Sequence, residues 1–328
     1  MNGTLTDVHG IKVGHYTDLV NATGCTVIIA ENGAVPGVDV RGAAPGTRET
    51  DLIRAENTVE TVHAVVLSGG SAFGLDSASG VMQYLAQRKI GHKVGKHIVP
   101  IVPAAIIFDL NIGNPDITPS AADGYFAASV ASNEQVQQGS IGAGTGATVG
   151  KALGIDSAMK GGLGSYSIDL GGGVILSALV VVNAVGGVHD ITDGSLIAGP
   201  RAKEGKPQDS FLIYSDPQFG FTQGKSLEFL GNTTIGVVAT NVNLTKAQAS
   251  RLATVAHDGL ALSVRPTHTV HDGDTIFALS TGLIEAPDEF ARLIALAPLV
   301  VSKAIISGVR EAASLGGFPS FVEVNGYE

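Results

Sequence analysis

Six short apolar runs, rich in β-branched residues and bounded by glycine, punctuate the chain at residues 27–30, 64–67, 101–108, 174–182, 235–239 and 275–279. Their length and composition suit strands buried on at least one face, so the chain must supply layers that cover them. Three stretches with helical periodicity lie between and after these runs. "SAFGLDSASGVMQYLAQR" follows the second run, with Ser71 placed to cap it. "LTKAQASRLATVAHDGLALSV" opens with Thr245 and Gln248 at capping-box spacing, and Leu252, Val255, Ala256 and Leu260 share one face. "PDEFARLIALAPLVVSKAIISGVREAA" begins with Pro287 and acidic residues, and Pro298 is expected to kink or divide it. Strands and helices are mixed rather than strictly alternating, which favours sheets covered by helices over a doubly wound parallel sheet. At 328 residues one large α/β (α+β) domain is expected. The one linker-like region, rich in charge, Pro and Gly, runs from 199 to 231.

Charged residues make up 15 % of the chain, against a usual share of about 25 %. So little charge implies that much of the surface is buried, inside the fold or against copies of itself, and a homo-oligomer is expected. The formal net charge of −10, with no basic stripe, argues against a nucleic-acid partner. Cys25 is the sole cysteine, so no internal disulfide can form, and no Cys/His set has zinc spacing. The amino terminus lacks the basic-then-apolar order of a signal peptide. The most apolar stretches are interrupted by Asn183, and by Pro298 and Lys303, so no bilayer span is expected and the reading is cytoplasmic.

Several segments invite a chemical reading. In "GAGTGATVGK", residues 142–151, a phosphate loop would need glycine where Thr145 stands and Ser or Thr where Ala152 stands. The same run fits a loose dinucleotide pattern through Gly142, Gly144 and Ala147. "SGGSAFG" resembles a nucleophile elbow, but Phe73 occupies the position that must be glycine. "HTVHDGDTIFALSTG" gathers His268, His271, Asp272 and Asp274, which reads either as metal ligands or as a turn whose carboxylates orient a neighbour. Asn232-Thr233-Thr234 runs straight into an apolar strand, and two readings of it stand side by side. One is a polar strand start. The other is a hydroxyl nucleophile that cuts the bond before it, because a threonine with a free α-amine carries its own base, with an unperturbed pKa of about 7.7–8.0.

"GNTTIGVVATNVNLT" and "RPTHTVHDGDTIFALSTG" resemble the self-processing N-terminal-nucleophile hydrolases of the β-aminopeptidase and L-aminopeptidase/D-esterase family, which includes the nylon-oligomer (6-aminohexanoate-oligomer) hydrolases. "GVDVRGAAPGTRETDLI", "HAVVLSGGSAFGLDSASGV", "VPAAIIFDL", "GAGTGATVGK", "MKGGLGS" and "VVVNAVGGV" extend the likeness over nearly the whole chain. The resemblance implies a four-layer αββα sandwich and a precursor cut between Asn232 and Thr233 into chains 1–232 and 233–328 that stay together as one domain. It implies Thr233 as nucleophile, Asn183 as oxyanion donor, Lys151 as a cation beside the nucleophile, and Asp272 and Asp274 as the acidic pair that positions it. Phe108 stands where some relatives have a pocket tyrosine. A small peptide or amide substrate is expected, with no cofactor and no metal. The rival functions are a self-processing acyltransferase of the ornithine-acetyltransferase type and a non-catalytic oligomeric binding protein.

Overall fold

Successive side chains of a strand point to opposite faces, and this alternation sorts the interior into three layers of core. The computed structural model describes residues 3–202, 204–219 and 231–326. Part of the linker-like segment, 203 and 220–230, therefore lies outside the described residues. In the strand Ile175–Asn183, Ala178, Val180 and Val182 enter one core, and Leu179 and Val181 enter another. The strand Thr233–Val242 sends Val238 to the first and Ile235, Val237 and Ala239 to the second. On the far side, the strand Val62–Ser68 gives Val65 and Leu67 to that same second core and Ala64 and Val66 to a third. The second core is thus the seam between two sheets, and the other two lie beneath helices.

The first core is closed by the helices Lys246–Ser263 and Phe290–Arg310, through Leu252, Ala256, Ala297 and Val301. The third is closed by Ser77–Gln87 and Ala121–Ser129, through Ala78, Val81, Leu85 and Ala127. The result is the expected four-layer αββα sandwich. One strand, Thr23–Val40, belongs to both sheets. Its first half pairs antiparallel with Lys12–Asp18 and Val62–Ser68; after a register break between Ile29 and Ala34 its end pairs with Thr275–Ile284. The full strand order is Gly162–Asp169, Ile175–Asn183, Thr233–Val242, Thr275–Ile284, Thr23–Val40, Val62–Ser68, Ala104–Ile106 and Thr47–Arg48.

Local readings fare unevenly. Thr245 caps its helix, accepting from Gln248 N at 3.2 Å in the expected capping box. Ser71 is not a cap: Gly70 takes that position at φ +81, and Ser71 begins a 3-10 turn, Ser71–Asp76, at φ +54. The run 101–108 yields only the strand Ala104–Ile106, because Pro100 and Pro103 deny the ladder their N–H groups. Pro298 does not divide the last long helix, which continues from Phe290 to Arg310. Leu293, Ala297, Val300 and Val301 are buried on either side of the proline, and this packing offsets its lost hydrogen bond. The segment Pro287–Arg310 is long and apolar enough by composition to cross a membrane, yet in this fold it is a core helix laid against Lys246–Ser263 and the strand Gly162–Asp169.

Candidate active site

Thr233 opens a strand whose ten residues are all buried. The antiparallel neighbour sets Asn183 opposite Thr233. The parallel neighbour pairs Ile235 with Thr275, and the same offset extends to a bridge between Asn232 and Asp272. These two registers alone bring residues far apart in the chain to the two sides of one peptide bond. In this uncut chain Thr233 is 4 % exposed, Asn183 0 %, Lys151 1 %, and Asp272 and Asp274 2 % each.

On the antiparallel side the Asn183 amide is oriented by its partners. Its Oδ1 accepts from Thr148 N at 3.0 Å and from Lys151 Nζ at 2.9 Å. The Nδ2 group therefore faces the other way, donating to Phe108 O at 3.0 Å and Gly231 O at 3.4 Å. Lys151 Nζ also donates to the Asn183 carbonyl at 3.2 Å. Burial lowers the Lys151 pKa to about 7; Asp272 acts against that shift, and a second buried lysine, Lys160, reinforces it. Lys160 Nζ donates to Thr145 O and Ala147 O, at 2.7 and 2.6 Å. The glycine-rich run 142–151 thus carries Thr148 and Lys151 into the site. Phe108, Asp109, Ile112, Thr148, Lys151 and Ile155 line a pocket beside it.

On the parallel side Asp274 Oδ1 accepts from Thr234 N at 2.6 Å. Asp274 Oδ2 takes the Thr267 hydroxyl at 3.0 Å, His268 N at 3.1 Å and His268 Nδ1 at 2.8 Å. Asp272 Oδ2 accepts from Thr269 N at 2.6 Å, while its Oδ1 is buried without a hydrogen-bond partner. Burial, and then the neighbouring Asp274, raise the Asp272 pKa to about 6. Between the two carboxylates, Gly273 N donates to the Asn232 carbonyl at 3.0 Å. The Thr233 hydroxyl lies 2.5 Å from that same oxygen. Gly273 is tightly enclosed: a Cβ there would stand 2.9 Å from Ala44 O and 3.0 Å from Thr233 Oγ1.

Every site residue named from the sequence therefore falls within one constellation around the Asn232–Thr233 bond, with Phe108 on its pocket wall. Two contributors carry no signal in the sequence reading, the Gly273 N–H and the Thr148 N–H, because no residue type announces a backbone donor. His268, read from the sequence as a metal ligand or part of a turn, is brought onto Asp274 Oδ2. Among the described residues no group of three or more His, Cys, Asp or Glu is placed to hold a metal ion.

The profile of peptidase family S58 matches residues 3–321. The chain belongs to that family. It is accordingly a hydrolase acting on amide or peptide bonds. It is 40 % identical to an uncharacterised aminopeptidase of Mycobacterium tuberculosis, over 97 % of this chain and 96 % of that protein. It is 32 % identical to a 6-aminohexanoate-oligomer endohydrolase of Paenarthrobacter ureafaciens, over 86 % of this chain and 76 % of that protein. An L-aminopeptidase D-Ala-esterase/amidase of Ochrobactrum anthropi, described as a variant of the N-terminal-nucleophile hydrolase fold, superposes with a TM-score of 0.71 at 20 % identity, over 97 % of this chain and 90 % of that one. A β-aminopeptidase of Burkholderia sp. does so at 0.67 and 21 %, over 98 % and 92 %. The fold of this S58 chain is the N-terminal-nucleophile hydrolase fold.

Proposed function

We propose that this S58 chain is a precursor that cuts itself between Asn232 and Thr233, and that the freed Thr233 is the nucleophile of a hydrolase for short peptides or amides. The observation that carries the reading is the Asn232 carbonyl, whose oxygen is held by Gly273 N at 3.0 Å with the Thr233 hydroxyl beside it at 2.5 Å. A backbone donor on that oxygen is what a developing oxyanion needs. Thr233 Oγ1 gives up its proton and bonds to the Asn232 carbonyl carbon. The tetrahedral adduct collapses as the C–N bond breaks and a proton passes to the Thr233 nitrogen. Water then hydrolyses the resulting ester, leaving the Asn232 carboxylate and a free Thr233 amine.

The base of the first step need not be Lys151, whose Nζ is directed to Asn183. Asp272 has a free Oδ1, and its pKa of about 6 keeps much of it ionised near neutrality while leaving it basic enough to take a proton. In turnover the freed amine replaces it as base, and Asn183 Nδ2, released from the Gly231 carbonyl, donates to the substrate oxyanion. An acyl-enzyme ester forms on Thr233 and water releases it. Relatives named aminopeptidase and 6-aminohexanoate-oligomer endohydrolase support a small peptide or amide substrate. The sparse charge of 15 % supports a homo-oligomer of cut chains, which light scattering on the purified protein tests.

The test is intact mass under denaturing conditions for wild type and Thr233→Ala, followed by turnover of alanine p-nitroanilide and 6-aminohexanoate oligomers. Two pieces, 1–232 and 233–328, from wild type and one whole, inactive chain from the variant are expected. A folded wild type that stays whole, or an active Thr233→Ala, would overturn the proposal.

A further inference from the structure

Asp274 fixes the residue that follows the nucleophile, since its Oδ1 accepts from Thr234 N. What fixes Asp274 is His268. Its backbone N–H and its ring Nδ1 converge on the same Oδ2, at 3.1 and 2.8 Å, with the Thr267 hydroxyl as a third partner. That convergence depends on His268 standing at φ +56, a region that non-glycine residues occupy only when their surroundings impose it. The ring has a second contact as well. It lies edge-on to His257 at 5.0 Å, and His257 in turn bonds the Asp39 carbonyl through Nε2 at 3.0 Å. A left-handed backbone, a buried carboxylate and two imidazoles in edge contact are an elaborate arrangement for a turn that a simple Asp-Gly could make.

We propose that His268 is a positioning residue for the nucleophile: it clamps Asp274, and Asp274 holds the Thr233–Thr234 backbone so that Thr233 Oγ1 stays beside the Asn232 carbonyl. The inference rests on the reading of Thr233 as nucleophile. His268 touches no reacting atom, so its loss slows the chemical step without weakening substrate binding.

His268→Gly keeps the left-handed backbone and removes the ring. His268→Asn also tolerates that backbone and restores an N–H near the position of Nδ1. The experiment follows self-cleavage by intact mass, and kcat and KM for alanine p-nitroanilide, in purified full-length protein. For the glycine variant we expect cleavage and kcat lowered about 10–100-fold, as for loss of a charge-assisted hydrogen bond, with KM within about twofold. For the asparagine variant we expect recovery to within about fivefold of wild type. Wild-type rates in the glycine variant would overturn the proposal, and so would an asparagine variant as impaired as glycine. If the glycine variant does not fold, Thr267→Val removes one donor from the same Oδ2: a lowered kcat at unchanged KM supports the clamp and an unchanged kcat overturns it. Thr233→Ala run alongside separates the two failures, because cleavage there would sink the nucleophile reading whatever His268 does.

Discussion

On the Asn183 side of Thr233 the groups are paired: the amide oxygen takes three donors, the amide nitrogen two acceptors, and Lys151 two oxygens of one residue. On the Asp272 side Asp274 is equally saturated, but Asp272 Oδ1 and Asn232 Oδ1 are buried with no partner. Both flanks bury a charge, and burial pushes both toward neutrality, Lys151 down to about 7 and Asp272 up to about 6. The difference is in completeness. Buried polar atoms are rarely left unpaired, so the saturated flank is already built for its task, while the other keeps acceptors that the amine created by cleavage would satisfy.

The sharpest way to break this comparison is Asn183→Ala. In the uncut chain the Asn183 amide faces Gly231 O and Phe108 O, whereas the scissile oxygen is held by Gly273 N. Turnover should therefore fall about 10²–10³-fold while self-cleavage, read by intact mass, continues within about tenfold of wild type. Equal loss of both would mean that one donor serves both carbonyls.

Asp272→Asn probes the open flank, and self-cleavage there should slow about 10–100-fold. Its pH signature has a definite sign. Because the folded pKa lies above the ordinary 3.8, the folded state holds more protons between about pH 4 and 6, so this group's contribution to stability declines as pH rises through that window. Relative to Asp272→Asn, wild type should lose thermal stability from pH 4 to 6.

Lys151→Met probes the closed flank and reverses the sign. A folded pKa near 7 against an ordinary 10.5 means that the unfolded chain binds more protons between those values, so the penalty is full below pH 7 and is relieved as pH rises. Wild type should gain melting temperature from pH 7 to 9 relative to the variant, and the variant should be the more stable of the two at pH 7, since a buried charge gives way to an apolar side chain. Activity should still fall, because Asn183 loses the donor that orients it. Phe108→Tyr is the mildest test, expected to change KM less than about tenfold and to leave cleavage intact.

The site was legible through a resemblance spread over nearly the whole chain, which implied Thr233, Asn183, Lys151, Asp272 and Asp274 together; alone, an asparagine ending an apolar strand, two aspartates around a glycine or a lysine closing a glycine-rich run fits a structural role equally well. The capping box at Thr245 and the central strands were legible from local patterns with one dominant interpretation. Polar and glycine-rich edge strands such as Lys12–Asp18 and Gly162–Asp169 were not, since their apolar alternation is weak. Nor was the passage of Thr23–Val40 between the two sheets, which depends on a register break around Gly33 rather than on composition. Ser71 was misread because Gly70 beside it takes the cap position and a 3-10 turn, Ser71–Asp76, precedes the α-helix Ser77–Gln87. The Gly273 N–H could not have been found by residue type at all.

The strand Thr233–Val242 lies in the interior of its sheet, laddered on both sides and buried along its whole length. A cut at its first residue would leave the new chain end gripped by neighbours that belong to the other piece as well as to its own. The folded enzyme would hardly register the break, but its history would. Folding would have been a one-chain event, guided by contacts tethered in sequence, while refolding after full denaturation would be a two-chain encounter that depends on concentration. Once heated or denatured past its midpoint, the mature protein would not retrace its own path, and its lifetime would be governed by how slowly it unfolds.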